Sequence, residues 1–227
     1  LETSLEEIKQ AWAKTYFELS RYRDSKDKFY ITKIEDILTQ LEDHQVSVQT
    51  MLGSRHVKEI RGIIEEWDVK LRLIQDVIDE WLSCQKQWMY LENIFSAPDI
   101  QKQLPRETTK FQSVDRFWRD LMLRTNKNPL VVDACSSDGL LEKFIKNNKL
   151  LDEIKKGLDE YLESKRLAFP RFYFLADDEL LEILSQTRNP YKVQDHLRKC
   201  FDNMAKLMFK ESKEGLSIEG MISGERE

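Results

Sequence analysis

Glycine and proline are scarce in this sequence, at seven and five in 227 residues. Tight turns draw on one or the other, so a chain this poor in both is not built as a sandwich or barrel of many short strands, and long helices are expected instead. Cysteine is scarcer still. Cys84, Cys135 and Cys200 lie far apart and form no C-x-x-C pair, which suggests neither a disulfide framework nor a zinc site and fits a reducing, intracellular compartment. An excess of positive charge is also missing: 36 basic against 41 acidic residues give a formal net charge of −5, so no general nucleic-acid surface is expected. No apolar run approaches the roughly 18 residues that span a bilayer, and the opening Leu1-Glu-Thr-Ser-Leu-Glu-Glu is unlike a signal peptide. The chain starts without Met and within a helical pattern, and so reads as a piece of something longer.

Catalytic constellations are absent too. Gly215 and Gly220 have the first spacing of a phosphate-binding loop, yet Met221 and Ile222 stand where Lys and Ser or Thr must hold phosphate and Mg²⁺. His44, His56 and His196 are isolated, with no H-E-x-x-H arrangement. The adjacent carboxylates Asp177, Asp178 and Glu179 point in different directions at a helix start and suit the positive end of its dipole better than a metal site. Phe172-Tyr-Phe174 lacks the glycines and basic surround of a base-stacking platform and reads as core. No catalytic, cofactor-binding or metal-ligating residue is assigned.

What is present is apolar periodicity, in a chain that is 41% hydrophobic and carries five Trp and eleven Phe. Leu5, Ile8, Trp12, Leu19 and Tyr22 predict a first helix from the Ser4/Glu7 capping box to about Arg23. Thr32 and Glu35 form a second capping box, followed by Ile34, Leu38, Leu41, Val48 and Leu52, with Gly53 as a C-terminal stop. The longest helix is expected from Val57 to Phe95, with Ile60, Ile64, Trp67, Leu71, Ile74, Ile78, Trp81 and Trp88 in a seam interrupted at Gln85. Bulky Trp67, Trp81 and Trp88 suit packing within one chain better than a two-stranded zipper, a coiled-coil scaffold or interaction module being the alternative. Pro98 opens a short helix that Pro105 closes, and Phe111, Val114, Trp118 and Leu121 make the next apolar face. Trp67, Trp81, Trp88 and Trp118 are the expected structural core.

Asn128-Pro129 and Ser136-Ser-Asp-Gly139 flank a short apolar stretch and divide a first helical bundle, 1–128, from a second helical subdomain, 129–227. Leu141, Phe144, Leu151, Ile154, Leu158 and Tyr161 define a long helix ending near Arg166 or Leu167, because Pro170 pushes Phe169 into the extended region. Phe172 to Leu175 read as a short strand, with Phe172 and Phe174 on one face and Tyr173 and Leu175 on the other. Asp177 is the expected N-cap of a helix carrying Leu180, Leu181 and Leu184, and Asn189-Pro190 starts a last helix. Ala205 to Phe209 and Leu216 to Ile222 read as a terminal hairpin. The fold class is therefore mainly α: an elongated rod of antiparallel helical bundles in series, with one short strand or a minor hairpin.

The stretch Phe169-Pro-Arg-Phe-Tyr-Phe-Leu-Ala-Asp-Asp-Glu-Leu-Leu-Glu-Ile-Leu184 resembles the signature of the dynein heavy chain linker, the segment that precedes the AAA+ ring. Trp67 with Trp81-Leu-x-x-Gln85, Trp88-x-Tyr90-Leu-Glu-x-Ile94-Phe-Ser, Leu104-Pro-x-Glu107, Phe111 with Asp115, Trp118-Arg-Asp-Leu-Met122 and Gly157-Leu-x-x-Tyr161-Leu-x-x-Lys165-Arg166 stand in the order of that linker. The resemblance covers roughly Ile34 to Phe209. Leu175-Ala-Asp-Asp-Glu-Leu-Leu and Thr187-Arg-Asn-Pro190 are more similar to axonemal than to cytoplasmic heavy chains. It implies a non-catalytic lever that passes ATP-driven changes of the AAA+ ring into microtubule-based movement of a cilium or flagellum. It further implies that ATP and Mg²⁺ belong to the parent motor, which is an ATP-hydrolysing enzyme where this fragment is not. The implied partners are the AAA+ ring of the same heavy chain, light or intermediate chains, and the microtubule through the rest of the motor. Neither nucleic acid nor membrane is a partner. The fragment is expected to be monomeric, and the parent to work in the cytoplasm, cytoskeleton and axoneme. Phe172, Tyr173, Phe174 and Leu175 are the candidates for mechanical interaction.

Overall fold

A computed structural model describes residues 1–186, 189–213 and 215–225; Thr187 and Arg188 of the axonemal-like wording lie outside the described residues. The chain is mainly α-helical and forms two compact units, Leu1–Tyr90 with Lys110–Asp152, and Leu91–Thr109 with Glu153–Glu227. The turns at 128–129 and 136–139 lie within the first of them.

Helix α1 spans Glu2–Trp12 and buries Leu5, Ile8 and Trp12, but it does not continue to Arg23. The Thr15 hydroxyl bonds back to the Ala11 carbonyl at 2.8 Å. Beyond it, Phe17 N–H donates to the Pro129 carbonyl at 2.8 Å and Val131 N–H to the Thr15 carbonyl at 3.0 Å. Strands β1 (Glu18–Arg21) and β2 (Phe29–Thr32) then pair antiparallel. Leu19 and Tyr22 keep a helical interval, but the stronger signal is the two-residue period of β2, where Phe29 and Ile31 are buried between half-buried Tyr30 and Thr32. Arg23, at φ 54, bends the chain out of β1.

Neither expected capping box forms. Ser4 lies inside α1, and the Thr32 hydroxyl donates to the Glu18 carbonyl at 3.3 Å across the hairpin. Helix α2 (Glu35–Leu52) buries Ile37, Leu41, Val48 and Met51, so half of its seam is shifted by one residue from the expected positions. Gly53 ends it at φ −76, an ordinary right-handed angle that does not require glycine.

Helix α3 (Arg61–Phe95) runs 35 residues, starting four residues after Val57 and reaching about 52 Å at 1.5 Å per residue. Its buried seam carries Ile64, Leu71, Ile74, Ile78, Trp81 and Trp88. Trp67 is a correction: it is half-buried, with the Lys70 ammonium 4.8 Å from its ring centroid. It keeps the seam's spacing, three residues after Ile64 and four before Leu71, but lies in the first two turns of α3, where burial is incomplete.

Helices α4 (Pro98–Gln103), α5 (Pro105–Lys127), α6 (Val131–Cys135) and α7 (Leu140–Ala168) follow, with Gly139 at φ 69 making the turn into α7. In the first unit Trp81 packs between Phe17 and Phe144, each with centroids 5.2 Å away. Trp88 stacks on Trp118 at 5.3 Å, with the Tyr22 ring edge-on at 5.1 Å. The Trp88 indole N–H donates to Asp115 at 2.9 Å, and that of Trp118 to the Phe29 carbonyl at 3.1 Å. Gln85, the polar gap in the seam, accepts from Ile31 N–H at 2.7 Å and donates to the Ile31 carbonyl at 2.9 Å. An apolar side chain there would leave two backbone groups of β2 unpaired.

In the second unit a 3₁₀ turn at Pro170–Phe174 leads to α8 (Asp177–Ser185). The segment after Asn189-Pro190 begins as a 3₁₀ helix (Pro190–His196) and becomes α-helical only in α9 (Leu197–Cys200). The terminal hairpin is present as β3 (Met204–Ser212) and β4 (Gly215–Ser223). The α5 and α7 segments of this unit approach closely: a Cβ built on Gly157 would lie 2.5 Å from a Glu107 carboxylate oxygen. Among the described residues no helix is long and apolar enough to cross a membrane.

Candidate functional site

The aromatic run after α7 does not form the expected strand. Phe169 is extended at φ −136, and Pro170 then starts a 3₁₀ turn in which Phe172 N–H donates to Phe169 at 2.9 Å and Leu175 N–H to Phe172 at 3.1 Å. A strand needs a partner for its backbone groups, and no described strand pairs with this run; a 3₁₀ turn satisfies part of the same demand internally. The two alternating faces therefore do not arise. Leu175 is buried at 2% exposure, Phe172 is half-buried, and Tyr173 and Phe174 are 51% and 68% exposed. The run is not core, as its composition suggested, but a display of aromatic rings on one buried leucine.

Charged side chains clasp this turn. Arg166, near the end of α7, donates to the Leu175 carbonyl at 2.9 Å and pairs with Asp177 at 2.8 Å, joining the two ends of the turn. Asp177 is the first helical residue of α8 and not its N-cap; that place is taken by Ala176, whose N–H donates to the Glu179 carboxylate at 3.0 Å. Glu179 also pairs with Lys199, and chiefly through that bond its carboxyl is held below the usual range. Tyr173 donates to Glu163 at 2.5 Å, and the bond raises its hydroxyl pKa. Arg171 donates to the Cys200 carbonyl at 2.8 Å, its guanidinium 4.7 Å from the Phe201 ring centroid. Buried His196 has Nε2 3.0 Å from Glu182 and Nδ1 3.9 Å from Glu179. All these contacts are ties between segments. None sets a nucleophile beside a base.

Behind the turn lies an apolar cavity of about 370 Å³, walled by Phe169, Phe172, Ile183, Val193, Phe201 and Leu207 among others. Cys200 belongs to the wall, and burial raises its thiol pKa; burial likewise pushes Cys84 up to about 12 and raises Cys135. These thiols are protonated at neutral pH and poor nucleophiles. Among the described residues no group of three His, Cys, Asp or Glu side chains could hold a metal ion.

Of the residues named from the sequence, Phe172, Tyr173, Phe174 and Leu175 come together in this turn. Trp81, Trp88 and Trp118 lie fully buried in the first unit, and the turn belongs to the second. Sequence reasoning missed the clasp. Arg166 had no role assigned to it, and a cation about one turn before a helix-ending proline is the signal that could have pointed to it. Gln85 was visible as the polar interruption of the α3 seam, but its strand partner was not.

The whole chain, residues 1–227, matches the family model for the dynein heavy chain, N-terminal region 2. It is 49% identical to dynein axonemal heavy chain 6 of Homo sapiens over 92% of its length. It is 47% identical to dynein axonemal heavy chain 1 of Rattus norvegicus and 46% identical to dynein axonemal heavy chain 3 of Homo sapiens, each over 100% of its length. The chain spans about 5% of the length of these relatives.

Proposed function

The chain belongs to the dynein heavy chain family, and from that premise we propose that it is a segment of the mechanical linker of an axonemal dynein heavy chain. In this reading it transmits ATP-driven changes of the AAA+ ring into microtubule-based movement of a cilium or flagellum and contributes no catalytic group. ATP and Mg²⁺ belong to the ring, and the microtubule is reached through the rest of the motor. The AAA+ ring of the same heavy chain is the main partner, light or intermediate chains are accessory ones, and the axoneme is the place of work.

The observation that carries the reading is the match of all 227 residues to a dynein heavy chain region, with axonemal heavy chains among the similar proteins. The joint after α7 supports it: a 29-residue helix ends in a turn across which Arg166 reaches Leu175 and Asp177, with Tyr173 and Phe174 turned outwards. A coiled-coil scaffold would need the α3 seam open to a second chain. Trp81 and Trp88 are instead covered by Phe17, Phe144, Tyr22 and Trp118 of the same chain.

The test is Phe174→Ala in a complete axonemal dynein that carries this segment. Microtubule gliding is expected to slow while basal ATPase activity is retained, and the isolated chain should melt as the parent does, because this ring is 68% exposed. Unchanged gliding removes the role given to the turn. Stoichiometric ATP binding by the isolated 227-residue chain at micromolar affinity, seen by calorimetry, overturns the non-catalytic reading.

A further inference from the structure

The cavity behind the aromatic turn has a chemistry that the linker reading does not use. Its volume, about 370 Å³, lies in the range of small-molecule sites. Its walls come from the 3₁₀ turn, α8, the Pro190–His196 helix, α9 and β3, so one occupant touches every segment of the joint. Phe169 and Phe172 meet edge to face at 4.8 Å, and Phe201 stands 6.2 Å from Phe169. Together they present aromatic surface to the space between them.

The polar groups of the wall are engaged elsewhere. His196 has its ring nitrogens towards Glu182 and Glu179, the Cys200 carbonyl accepts from Arg171, and the Cys200 thiol is kept protonated by burial. The Leu207 N–H is taken by Gln194 at 3.2 Å. An anion would find no counter-charge here. A peptide backbone would lose its water and find no partner, at a cost of about 1–3 kcal/mol for each unsatisfied group. A neutral apolar molecule strands no polar group here, because the surface that lines the cavity is apolar.

We propose that this cavity is a binding site for a small, neutral, aromatic-rich molecule of the size of two fused or linked rings, and that its occupant stiffens the joint between α7 and α9. The proposal does not depend on the linker reading. It assigns a ligand class to the space bounded by Phe169, Phe172, Val193, Cys200, Phe201 and Met204.

The probe is N-phenyl-1-naphthylamine, neutral and fluorescent in apolar surroundings, titrated into the 227-residue chain with naphthalene as competitor. Saturable one-to-one binding, displaced by naphthalene and accompanied by a rise in melting temperature, is expected. Val193→Phe and Met204→Trp, which fill the cavity from two walls, should each weaken binding by about tenfold or more without lowering the melting temperature. Phe174→Ala, outside the cavity, should leave binding unchanged. Alkylation of Cys200 should be slowed by naphthalene while Cys84 and Cys135 are unaffected, a readout that needs no variant. Absence of saturation, or an alkylation rate at Cys200 indifferent to naphthalene, overturns the proposal. Binding that survives both filling variants but is lost in Phe174→Ala overturns it too, and marks adhesion to the exposed ring. Displacement of the probe by a Trp-bearing peptide more readily than by naphthalene reassigns the cavity to a protein side chain and likewise overturns it.

Discussion

On the outer edge of β2, the Phe29 carbonyl and both polar groups of Ile31 are each taken by a helix side chain, from Trp118 and Gln85. Along Leu216–Met221 of β4, among the described residues, no helix side chain reaches the backbone; in that hairpin Gln194 takes the Leu207 N–H of β3. The register explains the first case. The Tyr22 N–H to Lys28 carbonyl bond, 2.8 Å, makes 22 and 28 a hydrogen-bonded pair, so Arg21 with Phe29 and Leu19 with Ile31 turn their polar groups outwards, where the helices meet them. The first hairpin is thus finished by side chains standing in for a third strand, and its Phe29 and Ile31 are buried. The second is finished by solvent along β4, with Ile218 and Met221 59% and 62% exposed and Lys210 paired to Glu219 across the strands at 2.6 Å. Charges and the two register shifts in β3 and β4 discourage pairing with another strand. Two hairpins of similar local chemistry therefore differ in what they cost to disturb.

The largest effect is expected at Trp118. Trp118→Ala removes a fully buried ring stacked on Trp88 together with the bond to Phe29, and should destabilise the chain by about 3–5 kcal/mol in denaturant unfolding. Trp118→Phe separates the two contributions by keeping most of the ring. Next is Gln85→Leu, which orphans both polar groups of Ile31 and should cost about 1–3 kcal/mol, with faster hydrogen exchange at the Ile31 amide. A neutral result would show that burial alone holds this hairpin and would erase the contrast with the other. Trp67→Ala sets the scale for the same residue type at a half-buried position, on α3 where Trp118 is on α5. Half-buried beneath Lys70, it should cost only about 1 kcal/mol, and a loss as large as that at Trp118 would return it to the core. The smallest effect belongs to the second hairpin: Ile218→Ala should change stability by less than about 0.5 kcal/mol. A much larger drop would mean that β4 is buried against something in solution.

The contrast also explains which parts of the molecule could be read in advance. The terminal hairpin was legible because its two short segments are separated by turn residues and lie close in sequence. The first was read as a helical continuation, since Leu19 and Tyr22 keep the helical interval and the groups that complete the hairpin lie 54 residues away at Gln85 and 89 residues away at Trp118. The candidate site divides in the same way. Its position was marked by Pro170, which must end α7 wherever the rest of the chain goes. Its form as a 3₁₀ turn was not, because an extended run becomes a strand only where a neighbour offers paired backbone groups.

What the residues alone determined was the mainly α class, the long helices α3, α5 and α7, their stops at prolines, and the burial of Trp81, Trp88 and Trp118. These follow from periodicity and from the missing N–H of proline, both local properties. Only the tertiary structure decided the N-terminal hairpin, the half-exposure of Trp67, the outward turn of Tyr173 and Phe174, and the work done by Gln85 and Arg166. Each of those depends on which hydrogen-bond partner or packing surface arrives from far along the chain, and local periodicity carries no record of that arrival.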